Sequence, residues 1–340
     1  MSHSPFTIIS LREGMVVSPE HFFYLYVQSA AKRTGRNGGK YLDLQLFDGV
    51  SSVNGKVWNP TERLERVFET GAVVHITDAK PQWYQGNLQL VISGADEVRA
   101  TEIDRCCPGI LPESSLSAEQ LQQRWDALTD ELSDTRCRDI VSAFRDDASV
   151  WERFTMIPAG KSMHHAYRRG LFEHTVTLAE TAKLIAGHYR SLYEIDIDLV
   201  VTGALLHDVG KEFEFVVGSG MASVSRYSDA GRLLGHIYMG AAYLQQLLDR
   251  SVPDDKEFHA ELLHIILSHH GSYEFGSPKL PMTMESMIVA AADNLDAHLS
   301  AVHNAFDTEL DDRWTQKVFA LQRNFYYSDY MKKQREEFHD

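Results

Sequence analysis

The sequence ALLHDVGK at residues 204–211 constrains the fold of this chain more than any other stretch. A short apolar run ends in adjacent His207 and Asp208, and Gly210 and Lys211 follow. Neighbouring side chains on a helix point about 100° apart. The two side chains therefore do not share a face, but both could reach one metal ion at a helix end. On its own, the pair is equally consistent with a polar helix end.

Similar residues recur in order along the chain, at the ends of apolar helical segments or within them. We predict helices at residues 171–189 and 198–211, one that begins near residue 234, one that ends near residue 271, and one at residues 286–299. An unpaired carboxylate such as Asp293 is costly to bury, and metal coordination removes that cost. The candidate ligands are His174, His207, Asp208, His236, His269, His270 and Asp293.

This donor set predicts divalent metal ions. Imidazole and carboxylate ligands without thiolate suit Mn²⁺, Fe, Zn²⁺ or, less readily, Mg²⁺. Six or seven ligands are too many for one tetrahedral ion and fit two. Any single histidine here could equally lie on the surface or form hydrogen bonds within the core. Surface exposure or core packing does not readily explain the whole ordered set. Cys106, Cys107 and Cys137 form no CxxC pair, which argues against a thiolate zinc site and favours a reducing cytoplasm.

Residues 1–95 are predicted to form five β-strands with a helix at residues 60–70 between the third and the fourth, the order of an OB-fold barrel. A basic, glycine-rich turn at residues 32–40 would join two strands. Its cations could track a single-stranded nucleic acid, and aromatic side chains could stack on bases. Equally, the aromatics could be barrel core and the turn a solvated loop. The candidate contacts are Lys32, Arg33, Arg36, Lys40, Tyr41 and Trp58.

The formal net charge of −15 is unevenly distributed. Residues 1–95 hold nine Lys or Arg and eight Asp or Glu, whereas residues 96–340 hold 24 and 40. An acidic surface is compatible with a cationic metal site in the second part. The first part is nearly neutral, so its charge does not prevent binding to the phosphates of a nucleic acid. The sequence contains no apolar run of about 20 residues and no secretory signal, so we expect a cytoplasmic protein without a membrane partner.

The ordered pattern H…HD…H…HH…D resembles the HD-domain phosphohydrolase superfamily, which is helical and metal-dependent. The OB-like start, together with HHAYRRGLFEHT at residues 164–175, LLHDVGK at 205–211, GHI at 235–237, SHHG at 268–271 and DNLD at 293–296, is similar to the YhaM-type 3′→5′ exoribonucleases. The resemblance spans nearly the whole chain. One departure is the sequence Arg168-Arg169-Gly170, where a glycine-richer turn is expected.

The resemblance implies a multidomain α+β protein with a small OB-like barrel followed by an all-α HD domain. The expected boundaries are an OB-like nucleic-acid-binding domain at 1–95, a linker at 96–117, connecting helices at 118–160, the HD domain at 161–305 and a C-terminal helical extension at 306–340. Similar proteins also imply a homo-oligomer.

The resemblance further implies a role for each candidate residue. His174, His207, Asp208 and Asp293 would hold one ion. Asp208 would bridge to a second ion, held by His236 and by His269, His270 or both, with Mn²⁺ the first expectation. Asp208 and Lys211 would be catalytic, Lys211 facing a substrate phosphate. His164 and His165 would border the pocket or be structural.

The expected reaction is hydrolysis of single-stranded RNA or DNA from the 3′ end by water that two metal ions activate. One alternative is a phosphohydrolase of small nucleotides or cyclic dinucleotides. The cyclic-dinucleotide branch carries Gly-Tyr-Pro after its paired histidines, and the sequence GSYEFGSP at residues 271–278 lacks it. A second alternative is a non-catalytic single-strand-binding module.

Overall fold

The computed structural model describes residues 6–35, 37–161, 165–218, 220–306 and 310–339. The chain begins with five strands that close into a barrel in the order β1-β2-β3-β5-β4, with β4 pairing back to β1. The short helix α1 lies between β3 and β4, so the OB-fold order predicted from the sequence is confirmed. The elements are β1 (Phe23–Thr34), β2 (Lys40–Phe47), β3 (Ser52–Trp58), α1 (Glu62–Val67), β4 (Val73–Tyr84) and β5 (Asn87–Glu97).

The barrel core follows from the alternation of apolar residues along each strand. In β2, Leu42, Leu44 and Leu46 are buried, and the residues between them are more exposed. At the tip of the β4–β5 hairpin, Gln85 and Gly86 both have positive φ, at 51° and 83°. Two such residues in succession are typical of the tight turns whose twist matches that of the flanking strands.

The segment predicted as a linker is partly helical and packs against both neighbouring parts of the chain. It contains α2 (Ala100–Cys106). Its buried apolar side chains form a cluster with two barrel residues and one residue from the second half of the chain. The buried members of this cluster are Tyr26, Val73, Val98, Ile103, Cys107, Ile110, Leu111 and Ala222.

The second half of the chain is a helical domain with one small hairpin. Trp125 lies at its centre, with its ring centroid 6.2 Å from that of Phe144 and 5.8 Å from that of Phe172. The elements are α3 (Ala118–Asp130), α4 (Thr135–Asp146), α5 (Ala148–Phe154), α6 (Gly170–Tyr189), α7 (Ile197–Leu206), α8 (Lys211–Glu214), β6 (Phe215–Val217), β7 (Val224–Tyr227), α9 (Asp229–Ser251), α10 (Lys256–Ser268) and α11 (Met284–Ala305).

The hairpin β6–β7 is an addition to the all-α domain expected from the sequence. Within the predicted C-terminal helical extension, the structure gives the helix α12 (Asp329–His339), preceded by turns and isolated bridges at residues 310–328. Among the described residues, no helix combines the length and the apolar character that a membrane span requires.

Candidate metal centre

Five helices of the second domain place the predicted ligands around one point. α6 carries His174 in its second turn, and α11 carries Asp293. The predicted helix at residues 198–211 is divided, because α7 ends at Leu206 and α8 begins at Lys211. His207 and Asp208 lie in the four-residue break between these two helices. The break allows both adjacent side chains to turn towards the same point.

Asp208 is buried at this point, and its Oδ2 faces one group of side chains. Oδ2 lies 3.1 Å from His207 Nε2, 3.6 Å from His174 Nε2 and 2.6 Å from Lys211 Nζ. The two imidazole nitrogens are 3.2 Å apart, and His174 Nε2 is 3.4 Å from Asp293 Oδ1. His174, His207, Asp208 and Asp293 therefore converge.

The other oxygen of Asp208 faces a second group. Oδ1 lies 3.6 Å from His236 Nε2 and 3.6 Å from His269 Nε2. His236, His269 and His270 each offer a ring nitrogen within 4.8 Å of the others. Asp208 is thus shared between two clusters of potential ligands.

Three of the five histidines are oriented by backbone carbonyl groups. In each, Nδ1 donates a hydrogen bond to a carbonyl oxygen, so Nε2 is directed away from it. The pairs are His207 with Ala204 at 2.8 Å, His269 with Ile266 at 2.8 Å and His270 with Phe275 at 2.7 Å.

Carboxylates orient the other two histidines. His174 Nδ1 donates to Asp296 Oδ2 at 2.6 Å. His236 Nδ1 lies 3.2 Å from Glu214 Oε2, and the backbone N–H of His236 donates to Glu214 Oε1 at 3.1 Å. Metal-binding histidines usually hold their second ring nitrogen in this way.

Several buried polar atoms in the centre have no hydrogen-bond partner among the residues that the structure describes. They are Asp208 Oδ1, His236 Nε2 and His269 Nε2, and all three face one another. An unpaired buried polar atom costs about 1–3 kcal/mol, and a shared cation would satisfy all three. The donor set therefore fits a divalent ion.

The pKa directions of His269 and Asp208 agree with this assignment, whereas His174 must lose a proton to bind a metal. Burial, and next the neighbouring His270, hold the pKa of His269 well below its usual range, so its imidazole is neutral and able to bind a metal. Burial raises the pKa of Asp208, but Lys211 and His207 outweigh it and hold that pKa well below its usual range. Burial lowers the pKa of His174, but hydrogen bonds to Asp293 and Asp296 raise it to about 9. An ion bound at Nε2 would displace that proton.

Gly210 allows α9 to approach this centre closely. A Cβ atom at residue 210 would lie 1.9 Å from the carbonyl oxygen of His236 and 2.6 Å from the backbone nitrogen of Gly240. α9 is also kinked immediately before His236, where Gly235 has a φ of 75°. The predicted helix start near residue 234 corresponds to this kink, because the helix itself begins at Asp229.

Two residues of the centre were not assigned a role from the sequence. Asp296 and Glu214 act through the Nδ1 atoms of His174 and His236, and helical spacing does not specify ring orientation. One signal was present, because Asp296 follows Asp293 by three residues and so shares its helix face.

His165 lies behind the ligands, where its Nε2 donates to Asp296 Oδ2 at 2.9 Å. His164 lies outside the described residues.

The sequence Arg168-Arg169-Gly170 replaces the glycine-richer turn that the resemblance implies. The backbone of this turn is left-handed at Arg169, where glycine would be expected. Arg169 has a φ of 66° immediately before α6. Its guanidinium forms an ion pair with Glu113 at 2.6 Å, and its backbone N–H donates to Met156. These contacts stabilise a conformation that glycine would adopt without strain.

The candidate nucleic-acid contacts lie on the barrel. Lys32 and Arg33 belong to β1 and Lys40 begins β2, so the turn between the strands is shorter than predicted. Lys32 forms an ion pair with Glu65 at 2.8 Å, and Arg33 Nε lies 3.9 Å from Asp43. Acidic neighbours therefore offset part of this charge. Arg36 lies outside the described residues.

The barrel also carries exposed aromatic rings. Tyr41 and Trp58 pair across β2 and β3 with their ring centroids 4.8 Å apart, and Trp58 is 52% exposed. Lys56 lies over the Tyr41 ring and forms an ion pair with Asp43. Trp83 and Tyr84 are exposed at the tip of the β4–β5 hairpin. An aromatic pair beside a cation is the arrangement on which a nucleic-acid base can stack.

Comparisons with known proteins match the helical domain to a family model and most of the chain to curated relatives. The family model "HD domain" matches residues 171–298. The 3′-5′ exoribonuclease YhaM of Bacillus subtilis is 32% identical over 308 residues, which cover 89% of this chain and 93% of that protein. The protein of the same name in Geobacillus sp. is 29% identical over 311 residues, with 89% and 90% covered.

Among solved structures, the second OB-fold domain of replication protein A from Methanococcus maripaludis matches 28% of this chain and 95% of that domain. Its identity is 16% and its TM-score is 0.22, so the barrel assignment relies on the strand order alone. The relationship to the Bacillus protein extends over both domains at 32% identity. The chain therefore belongs to the YhaM family of HD-domain proteins.

Proposed function

We propose that this chain is a metal-dependent 3′→5′ exonuclease that hydrolyses the phosphodiester bonds of single-stranded RNA. The observation that carries the proposal is the convergence of five imidazoles and the carboxylate of Asp293 around Asp208, where three buried polar atoms have no hydrogen-bond partner among the described residues. The names of the relatives support the direction of hydrolysis and the choice of RNA.

We assign the ligands to two ions that share Asp208. His174, His207 and Asp293 would complete one set, and His236, His269 and His270 the other. Divalent ions at these positions would lower the pKa of water and offset negative charge on the phosphodiester. Mn²⁺ is the first candidate for this donor set.

Lys211 is the second residue to which we assign a catalytic role. Its ammonium group is buried beside Asp208 and holds that carboxylate ionised. We also assign to this positive charge a contact with the non-bridging oxygens of the phosphate, because a fixed charge of this kind stabilises negative charge that develops during the reaction.

We assign the barrel to holding the single strand while the helical domain removes the 3′ nucleotide. Replacing Trp58 with alanine is expected to weaken oligonucleotide binding by about 5- to 150-fold, since base stacking contributes about 1–3 kcal/mol per base. Hydrolysis of a small phosphodiester such as bis(p-nitrophenyl) phosphate should be unchanged, because this substrate does not reach the barrel. Fluorescence anisotropy of a labelled RNA, measured without divalent metal, would give the affinity.

Tyr193→Ala provides the matched control, since Tyr193 is also exposed but lies in the helical domain between α6 and α7. This variant should bind RNA as the unchanged protein does. Equal affinities of all three proteins would exclude Trp58 from the binding surface.

The decisive experiment is a metal-titrated degradation assay on matched RNA and DNA strands with a label at the 5′ end. We expect progressive shortening from the 3′ end that requires a divalent ion, with release of mononucleotides. Faster turnover of cyclic dinucleotides or deoxynucleoside triphosphates would favour the small-nucleotide phosphohydrolase. Tight RNA binding without hydrolysis under any divalent metal would favour the non-catalytic binding module.

Two further assignments belong to this proposal. Cys106, Cys107 and Cys137 are free thiols, which supports a location in the reducing cytoplasm.

Met287, Leu295 and Leu299 are exposed on α11 at helical spacing, which supports a homo-oligomer. Sedimentation velocity of the full chain would test the latter.

A further inference from the structure

Asp296 contacts two histidines, although the sequence pattern assigned it no role. Its Oδ2 accepts a hydrogen bond from His174 Nδ1 at 2.6 Å and another from His165 Nε2 at 2.9 Å. Asp293, three residues earlier on the same face of α11, lies 3.4 Å from the other nitrogen of His174. A single helix therefore places carboxylates at both ring nitrogens of His174.

The contacts continue outward from Asp296 and lead to α6, the helix that carries His174. His165 Nδ1 lies 2.8 Å from the hydroxyl of Tyr167, which donates to Glu173 Oε2 at 3.0 Å. Glu173 directly precedes His174 on α6. This closed chain of contacts restrains both the carboxylate of Asp296 and the imidazole plane of His174.

We propose that Asp296 is a positioning residue that keeps the proton of His174 on Nδ1 and so directs the lone pair of Nε2 towards the metal centre, and that His165 fixes Asp296. The inference rests on the proposed function only in that the centre binds divalent ions. Removing a carboxylate that orients a ligand typically weakens metal binding by about 10- to 100-fold. On the other side of Asp208, Glu214 of α8 contacts Nδ1 of His236 in the same way that Asp296 contacts Nδ1 of His174.

The test measures Mn²⁺ binding to the full chain without nucleic acid. Titration calorimetry and the electron paramagnetic resonance signal of unbound Mn²⁺ give the affinity and the number of bound ions. Asp296→Asn should bind the same number of ions as the unchanged protein, with one of them about 10- to 100-fold weaker. Glu285→Gln is the matched control on α11, because its carboxylate accepts a hydrogen bond from the Asp196 backbone and contacts none of the ligands. Its Mn²⁺ affinity should be unchanged.

A second variant keeps the inference testable if Asp296→Asn fails to fold, as judged from its melting temperature without metal. His165 has a φ of 44°, a left-handed conformation that asparagine tolerates. His165→Asn should therefore retain the backbone and lose the imidazole, and weaken Mn²⁺ binding by less than Asp296→Asn does.

Two outcomes would overturn the inference. One is wild-type Mn²⁺ affinity in both variants. The other is complete loss of one ion in Asp296→Asn with the rest bound normally, which would make Asp296 a ligand. A wild-type chain that binds Mn²⁺ but hydrolyses no RNA would contradict the proposed function and leave this inference intact.

Discussion

Replacing Asp208 with alanine is expected to lower the rate of RNA hydrolysis by about 10³-fold or more. Asp208 is the residue that both groups of histidines share, since its two oxygens face different imidazoles. Metal ions contribute several kcal/mol to catalysis of this kind, and each ~1.4 kcal/mol corresponds to tenfold in rate. Mn²⁺ binding should fall together with the rate, because both sets of ligands lose a member. Single-turnover degradation of a 5′-labelled RNA at saturating Mn²⁺ would measure the first effect.

Asp249→Ala is the matched control for this variant. Asp249 is an exposed carboxylate on α9 that lies 2.9 Å from Lys256 Nζ and 3.8 Å from His259 Nδ1. Both partners lie outside the proposed ligand set, so its removal should leave the rate of RNA hydrolysis unchanged. The Asp208→Ala protein must also be shown to fold, since Lys211 loses a buried counter-charge. Metal-dependent release of mononucleotides by folded Asp208→Ala protein would exclude this residue from the mechanism.

The second large effect is expected from a single methyl group at residue 210. In Gly210→Ala, the added Cβ would overlap the backbone of α9 at His236 and Gly240. The backbone angles of residue 210 suit alanine, with φ at −66° and ψ at −18°, so the cost is steric alone. Overpacking usually costs about 1–3 kcal/mol, and we expect the upper end or more because backbone atoms cannot rotate away. Calorimetric melting should show the loss, and Mn²⁺ affinity should fall as His236 moves from Asp208.

Gly187→Ala supplies the opposite expectation within the same domain. Residue 187 lies in α6, and apart from its own helix backbone no heavy atom of the described residues lies within 4 Å of the position of a Cβ. Alanine there should stabilise the protein by about 0.5–1 kcal/mol, because glycine in a helix loses more conformational freedom on folding. If both alanine variants melt alike, the close approach of α9 at Gly210 does not contribute to stability.

The sequence predicted the elements that depend on local patterns. The succession of five strands and one helix along residues 1–95 followed from period-two alternation and turn residues, and the helices of the second half followed from apolar spacing. The break between α7 and α8 was not predicted, because the apolar periodicity runs up to His207 and Asp208 without interruption. The roles of Asp296 and Glu214 were missed because they depend on which imidazole nitrogen faces inward. The packing of residues 98–111 against both domains depends on long-range contacts, which local composition does not report.

The imidazoles of His207 and His269 also contact the ends of the helices that they follow. Each histidine directly follows the last residue of its helix, α7 or α10, and donates to a carbonyl three residues earlier. Carbonyl groups in the last turn of a helix lack partners within it, so these imidazoles also act as C-terminal caps. Truncating either side chain is therefore expected to remove a proposed metal ligand and to fray a helix end at once. We therefore expect the stability of these two helix ends to be thermodynamically linked to the geometry of the proposed metal centre.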